Sequence, residues 1–407
     1  MSKRIRILLL PTSLVLVFYV VVGGMLGKTD SSTREKTYRD LGVYTEVLSR
    51  IKSDYVTEPN LKKVTGGAVR GLLESLDPYS TYFSPQEYQD YLDHPVPGPG
   101  DVGIYLSKRM GFATAVSILP GSPAEKAGIK PGDLIDRIDS ASTRELSVVQ
   151  IQRMLAGPVG TPLTLMIVRE TRGEPQKMVL ARTLIQDPPL VDKLADENSA
   201  YVRVAAFRKG KAEEIGSALQ GIITKQHADK IVLDLRDCAG GEVDEAVKTA
   251  SLFMGQGLVA YAVGQRYPRQ DLPLKPSSKV FNLPLAVLIN QSTAGPAELV
   301  AAAVLANKRG EVVGTRSFGV GVVQKLIPVG DGSGLLLSVA KYYSPDGKVI
   351  NDNGVTPSVV QTVSGDVTSL EDETSTDEPA HFGDKDDQQF RKALEILQKS
   401  MATGRAA

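Results

Sequence analysis

Tryptophan is absent, and the 407-residue chain has one cysteine, Cys238, and three histidines, His94, His227 and His381. A lone cysteine excludes an intramolecular disulfide and any cysteine-rich metal site. The histidines lie far apart and no HExxH or comparable zinc spacing occurs, so neither a metal nor another cofactor is expected. Net charge is missing as well: 47 Lys and Arg balance 47 Asp and Glu, which argues against a nucleic-acid partner. No internal repeat is evident. A chain of this length is expected to hold two or three domains.

One long apolar run is present. Lys3, Arg4 and Arg6 precede a largely apolar stretch from Ile7 to Leu26, near the ~20 residues that a helix needs to span a bilayer. Basic residues ahead of such a span place the N-terminus in the cytoplasm and the rest of the chain outside the inner membrane. No A-x-A site follows, which favours a retained anchor over a cleaved signal. A buried soluble helix would leave the basic flank without a reason.

The rest divides by texture. Residues 1–28 form the signal-anchor, and 29–95 read as a helical segment broken at Asp77-Pro78. The run "PVPGPG" at 95–100 marks a boundary. Residues 96–182 form a small β-rich module with two helices, "SPAEKAG" and "VVQIQRMLAG". In 183–363 apolar strands alternate with helices, which predicts an α/β core around a largely parallel sheet. Residues 364–407 are an acidic, solvated linker followed by an amphipathic helix.

Three places carry candidate chemistry. In "LPLAVLINQSTAGPAELV" a strand turns sharply into a helix, a common mount for a nucleophile because the helix N-terminus offers free N–H groups to an oxyanion. The residue at this turn is Gly295, followed by Pro296, which has no N–H to offer. In "IVLDLRDCAGGEVDEAV" the pair Gly240-Gly241 has two readings: half of an oxyanion hole, or a tight turn needing a left-handed backbone. In "VGIYL" the residues Val102, Gly103, Ile104 and Tyr105 lie beside a strand; their N–H groups could hold a peptide carboxylate while the strand edge pairs with the peptide. The plainer alternative is a β-module that serves only for packing. Under the first reading, a free C-terminus should bind better than an amidated one.

The segments "LDPYSTYFSPQEY", "GSPAEKAGIKPGDLIDRID", "LDLRDCAGG", "NQSTAGPAE", "SFGVGVVQ" and "YYSPDGKVINDNGVTPSVV" occur in the order found in the carboxyl-terminal processing, or tail-specific, proteases of peptidase family S41. The resemblance runs from about residue 40 to 361. It implies an S41-type α/β core with a ClpP- and crotonase-like sheet, an inserted PDZ domain at 96–182 and an N-terminal helical segment. It also implies a secreted or periplasmic serine endopeptidase with a Ser-Lys dyad, whose PDZ domain presents substrate C-termini and gates the site.

Carried over position by position, the resemblance fails at the dyad. Asn290, Ala294 and Glu298 match the family motif, but the nucleophile position holds Gly295. Phe318, Gly319, Gly321, Val323 and Gln324 match, but the general-base position holds Val320; Gln324, which the resemblance gives the task of orienting the base, remains. The expectation is a non-catalytic homologue that binds peptides or protein C-termini in the cell envelope, with an active protease or a second copy as partner. The competing expectation is an active endopeptidase with a displaced dyad, Thr293 as nucleophile and Lys325 as base. Thr293 and Ser292 otherwise read as turn and capping residues. Lys325 follows Gln324 on a predicted strand, so the two should point to opposite faces.

The topology is open to a direct test: a reporter fused after residue 40 should be active only in an export-dependent form, and a cytoplasmic signal would remove the envelope localisation.

Overall fold

Capping boxes fix where two helices begin. The Ser84 hydroxyl accepts the Glu87 N–H while the Ser84 N–H donates to Glu87 Oε2 at 2.8 Å, and Pro85 opens helix Pro85–Asp93 with a φ already suited to it. Ser147 and Gln150 do the same for helix Val148–Leu155, which buries Val148, Ile151 and Leu155 on one face. The computed structural model containing these elements describes residues 28–109, 111–169, 174–276, 280–362 and 382–402. The apolar segment expected to cross a membrane, and the acidic stretch up to residue 381, lie outside the described residues. Among the described residues no helix is long and apolar enough to cross a membrane.

The chain forms two units, residues 1–71 and 72–407. The described residues of the first include the helix Lys28–Asp54 and the start of Leu61–Glu74. The second contains the β-module, the α/β core and a further sheet.

In the β-module five strands lie in chain order and pair antiparallel: Ile104–Arg109, Phe112–Ile118, Leu134–Ile138, Pro162–Val168 and Gln176–Ala181. Ile104–Arg109 is therefore an edge strand. Its core packs Leu106, Ile135, Ile138, Leu163, Leu165 and Ile167 against Ile151 and Leu155. Gly100–Asp101 pairs with Thr183–Leu184, so the chain enters and leaves the module side by side, as an insertion must.

The core is a six-stranded sheet in the order Val191–Ala195, Ser199–Arg203, Lys230–Asp234, Leu285–Ile289, Glu311–Gly314 and Val359–Val360. The first pair is antiparallel and the rest are parallel. Both faces are covered, which explains the apolar runs without alternation. Ala200, Val202, Ile231, Leu233, Val287 and Ile289 face the helices Lys211–Gln226, Val243–Ser251 and Pro296–Ala306. The intervening Tyr201, Val232, Ala286, Leu288 and Val313 face the terminal helix Gln388–Ala402 through Phe390, Ala393, Leu394 and Leu397. The second sheet was not foreseen in the sequence. Thr81–Phe83, Gly334–Tyr343, Leu258–Val263 and Gln270–Pro273 lie in that order, with Val322–Pro328 also paired to Gly334–Tyr343. Gln270–Pro273 carries Asp and Pro, poor strand formers that an edge position tolerates, so only its pairing with Leu258–Val263 makes it a strand.

The terminal helix is anchored by a buried ion network. Arg236 binds Asp234 at 2.5 Å and Asp387 at 2.6 Å, and Tyr201 donates to Asp234 at 2.6 Å. Phe390 is fully buried and meets the Tyr201 ring edge-on at 5.5 Å. Phe390→Ala should therefore destabilise the core by about 3–5 kcal/mol, read as a lowered urea midpoint with an unchanged slope.

Candidate functional site

The turn after strand Leu285–Ile289 is held by its own side chains. Thr293 is fully buried; its hydroxyl donates to the Leu235 carbonyl at 2.7 Å and accepts the Asn290 N–H at 3.0 Å. The sequence reading of Thr293 as a turn residue fits this geometry. Gly295 then sits at φ 64°, ψ −121°, the N-cap of helix Pro296–Ala306. A Cβ at Gly295 would meet nothing nearer than the Tyr105 hydroxyl, 3.8 Å away, so glycine is favoured here by the backbone angle and not by space.

Glu298, the third residue of that helix, has no solvent exposure. Its Oε2 accepts the N–H groups of Gly295 at 2.9 Å and Val320 at 2.8 Å. Its Oε1 accepts the Gly319 N–H at 2.7 Å and the Ser317 hydroxyl at 2.5 Å. Burial pushes its pKa up from 4.5 to about 7, against the pull of the Ser317 hydroxyl and the three amides. One carboxyl thus fixes both the turn at Gly295 and the loop that carries Val320.

A third loop, 235–242, joins them. Asn290 exchanges hydrogen bonds with Asp237, donating from Nδ2 at 2.8 Å and accepting the Asp237 N–H at 3.0 Å. The Ala294 N–H donates to the Cys238 carbonyl at 2.9 Å, and the Phe318 N–H to the Thr293 carbonyl at 2.9 Å. Gly240 and Gly241 adopt φ 76° and 106°, and a Cβ on Gly241 would fall 2.2 Å from the Phe207 carbonyl oxygen. The tight turn that needs glycine at these two positions is present. The β-module reaches this loop through Ser117, whose hydroxyl donates to the Asp237 carbonyl at 2.5 Å.

Around Gly295 and Val320 the packing is apolar. Val116, Ala239, Ala294 and Phe318 form a small cluster, with Tyr105 and Val320 against it. Tyr105, expected as part of an amide loop, instead extends its ring over Gly240, 3.1 Å from where a Cβ would stand. Burial raises its phenol above the usual range, and it raises the neighbouring Tyr79 to about 12. Gln324 donates to the Tyr79 carbonyl at 2.8 Å. Lys325 follows it directly, pairs with Leu337 and is exposed.

The expected carboxylate loop differs from expectation in one respect. Val102, Gly103 and Ile104 are buried as a loop entering the edge strand, but the Gly103 N–H already donates to Asp101 Oδ1 at 2.7 Å. Burial raises the Asp101 pKa, while the Gly103 and Val102 amides hold it down. A cleft of about 850 Å³ runs from this loop past Gln152 and Ala156 of the module helix to Gly240, Gly241 and Glu242 of the core.

A family model for peptidase family S41 matches residues 198–361, and one for a PDZ domain matches residues 114–169. The carboxy-terminal-processing protease of Bartonella bacilliformis is 32% identical over 337 residues, covering 81% of this chain and 77% of that protein. The chain belongs to peptidase family S41. The carboxy-terminal processing protease CtpA of Bacillus subtilis is 29% identical, covering 85% of this chain and 74% of its own. Among solved structures the photosystem II D1 C-terminal processing protease superposes with a TM-score of 0.66 at 24% identity, covering 79% of this chain and 92% of that one, a likeness of fold. The S41 match contains all three converging loops. The PDZ match identifies the β-module as one of a class that binds peptide C-termini; the loop at Val102–Tyr105 lies just ahead of the matched residues.

Sequence reasoning gave no role to Glu298, Asp101 or the Tyr105 side chain. Glu298 had a local signal, an acid at the third helical position after a turn. Asp101 had a weaker one, an acid two residues before a loop glycine.

Glu298 generates a pH prediction. Its folded pKa lies above the unfolded value, so the native state holds the extra proton between pH 4.5 and about 7. The resulting stability is complete below pH 4.5 and is lost as the pH rises through 7, by about 3 kcal/mol. Urea unfolding of wild type and Glu298→Gln across pH 4–8 should show the wild-type advantage shrinking by that amount; a constant difference would contradict it.

Proposed function

We propose that this chain is a non-catalytic member of family S41, which binds extended peptides or protein C-termini through its PDZ module and acts as scaffold or adaptor in the cell envelope. The observation that carries the reading is the pair Gly295 and Val320 at the positions that the family resemblance gives to nucleophile and base. A Ser-Lys protease needs an oxygen to attack and a neutral amine to take its proton. Gly295 has no hydroxyl. Val320 has no titratable group, and its side chain packs into apolar surroundings. Loss of such groups costs on the order of 10⁶ in kcat, and an oxyanion hole with binding leaves about 10³–10⁴ over water.

The geometry does not favour a displaced dyad. Thr293 is buried with its hydroxyl engaged on both sides, and Lys325 lies on an exposed strand. The N-terminal charge pattern supports an anchor that holds the binding module outside the membrane. An active protease or a second copy of this chain is the proposed partner.

The purified protein should leave casein intact over time. Gly295→Ser with Val320→Lys should restore cleavage only weakly: a serine at φ 64° bears strain of about 1–3 kcal/mol, and Pro296 still lacks the donor that an elbow would supply, so adding Pro296→Ala should help. Cleavage by wild type that disappears in Thr293→Ala or Lys325→Ala would make the displaced dyad correct instead.

A further inference from the structure

The PDZ groove ends on an anion supplied by the chain itself. Gly103 donates to Asp101 Oδ1 at 2.7 Å, and the Val102 amide also bonds this carboxylate. These are two of the loop amides that a peptide's terminal carboxylate would use. The loop has little freedom to offer them elsewhere. The Val102 carbonyl accepts the Ala124 N–H at 3.0 Å, which fixes the peptide plane that carries the Gly103 N–H, and the Gly103 carbonyl accepts the Leu119 N–H at 2.9 Å, which fixes the plane that carries the Ile104 N–H. A Cβ on Gly103 would stand 2.2 Å from that of Ser122, so the turn is packed from behind. The backbone of Asp101 is itself paired with Thr183.

Two of the nearby cations are already engaged. Arg208 across the cleft lies 3.6 Å from Asp187. Arg182 donates to the carbonyls of Met154, Leu155 and Pro162. A second carboxylate on the same amides would meet Asp101 at close range in a half-buried site, where like charges disfavour one another. The rest of the groove does not need a terminus. The edge of Ile104–Arg109 can pair with any extended backbone, and the cleft continues beyond the loop to Gly240 and Glu242.

We propose that Asp101 sets the ligand class of this groove: it excludes a free C-terminal carboxylate and selects an extended internal segment, or a blocked end, held by strand pairing. The inference rests on the peptide-binding reading above and narrows it.

The test uses the full chain in mild detergent and a fluorescein-labelled decapeptide ending in Leu-Val-Ala-Ala, made as the C-terminal acid and as the amide. Fluorescence polarisation should show wild type binding the amide as tightly as the acid or up to ten-fold more tightly. Asp101→Ala, which frees the amides, should favour the acid by ten-fold or more. Asp101→Asn keeps the acceptor without the charge, preserves the turn, and should bring the two forms close to equal. A preference for the acid in wild type that persists unchanged in both variants overturns the inference while leaving peptide binding intact. Absence of binding for both peptides in all three proteins overturns the peptide-binding reading, and the inference with it.

Discussion

The carboxyl group of Glu298 has no access to water, and it accepts hydrogen bonds from Gly295, Ser317, Gly319 and Val320. A carboxyl in that position costs a great deal unless its acceptor capacity is filled, and filling it requires the strand-to-helix turn and the 317–320 loop to meet. The constraint propagates outward. Ser317 passes it to Val355, whose N–H donates to the same hydroxyl at 2.6 Å, and the Phe318 N–H ties back to Thr293. Asn290 and Ala294 then bring in the loop with Gly240 and Gly241. Three segments far apart in sequence are thereby held in one fixed arrangement.

That arrangement does not depend on a nucleophile or a base. The bonds that define it use backbone amides, Glu298, Asn290, Thr293 and Ser317. Gly295 adopts a backbone angle that would strain any other residue, so glycine relieves the turn. Val320 adds to an apolar cluster where an amine would have to be desolvated. The frame and the side chains at positions 295 and 320 therefore rest on different atoms.

The β-module is coupled to this frame directly. Ser117 reaches Asp237, and the Tyr105 ring covers Gly240 from the strand that also forms the groove edge. A segment pairing with that edge would lie next to the core loops, so binding in the groove and the position of Tyr105 share one strand.

The chain's local chemistry was legible from its order of residues. Ser84-Pro85 followed by Glu87, and Ser147 followed by Gln150, begin helices because their bonds span three residues. The apolar strands and intervening helices of the core, the turn at Gly240-Gly241 and the sharp turn at Gly295 follow from short-range pattern in the same way, and the family motifs are read off their order. What the tertiary structure alone decided involves partners distant in the chain. Gln270–Pro273 and Thr81–Phe83 become strands only through their neighbours, since neither is long or apolar enough to declare itself. Arg236 meets Asp387 across 151 residues, and Glu298 meets Val320 across 22. Asp101 lies two residues before Gly103 in sequence, yet its carboxylate matters because the module folds the loop amides into the end of a groove. Local bonding depends on residue identity and spacing, which a sequence states; these pairings depend on the path of the chain, which only the folded core fixes.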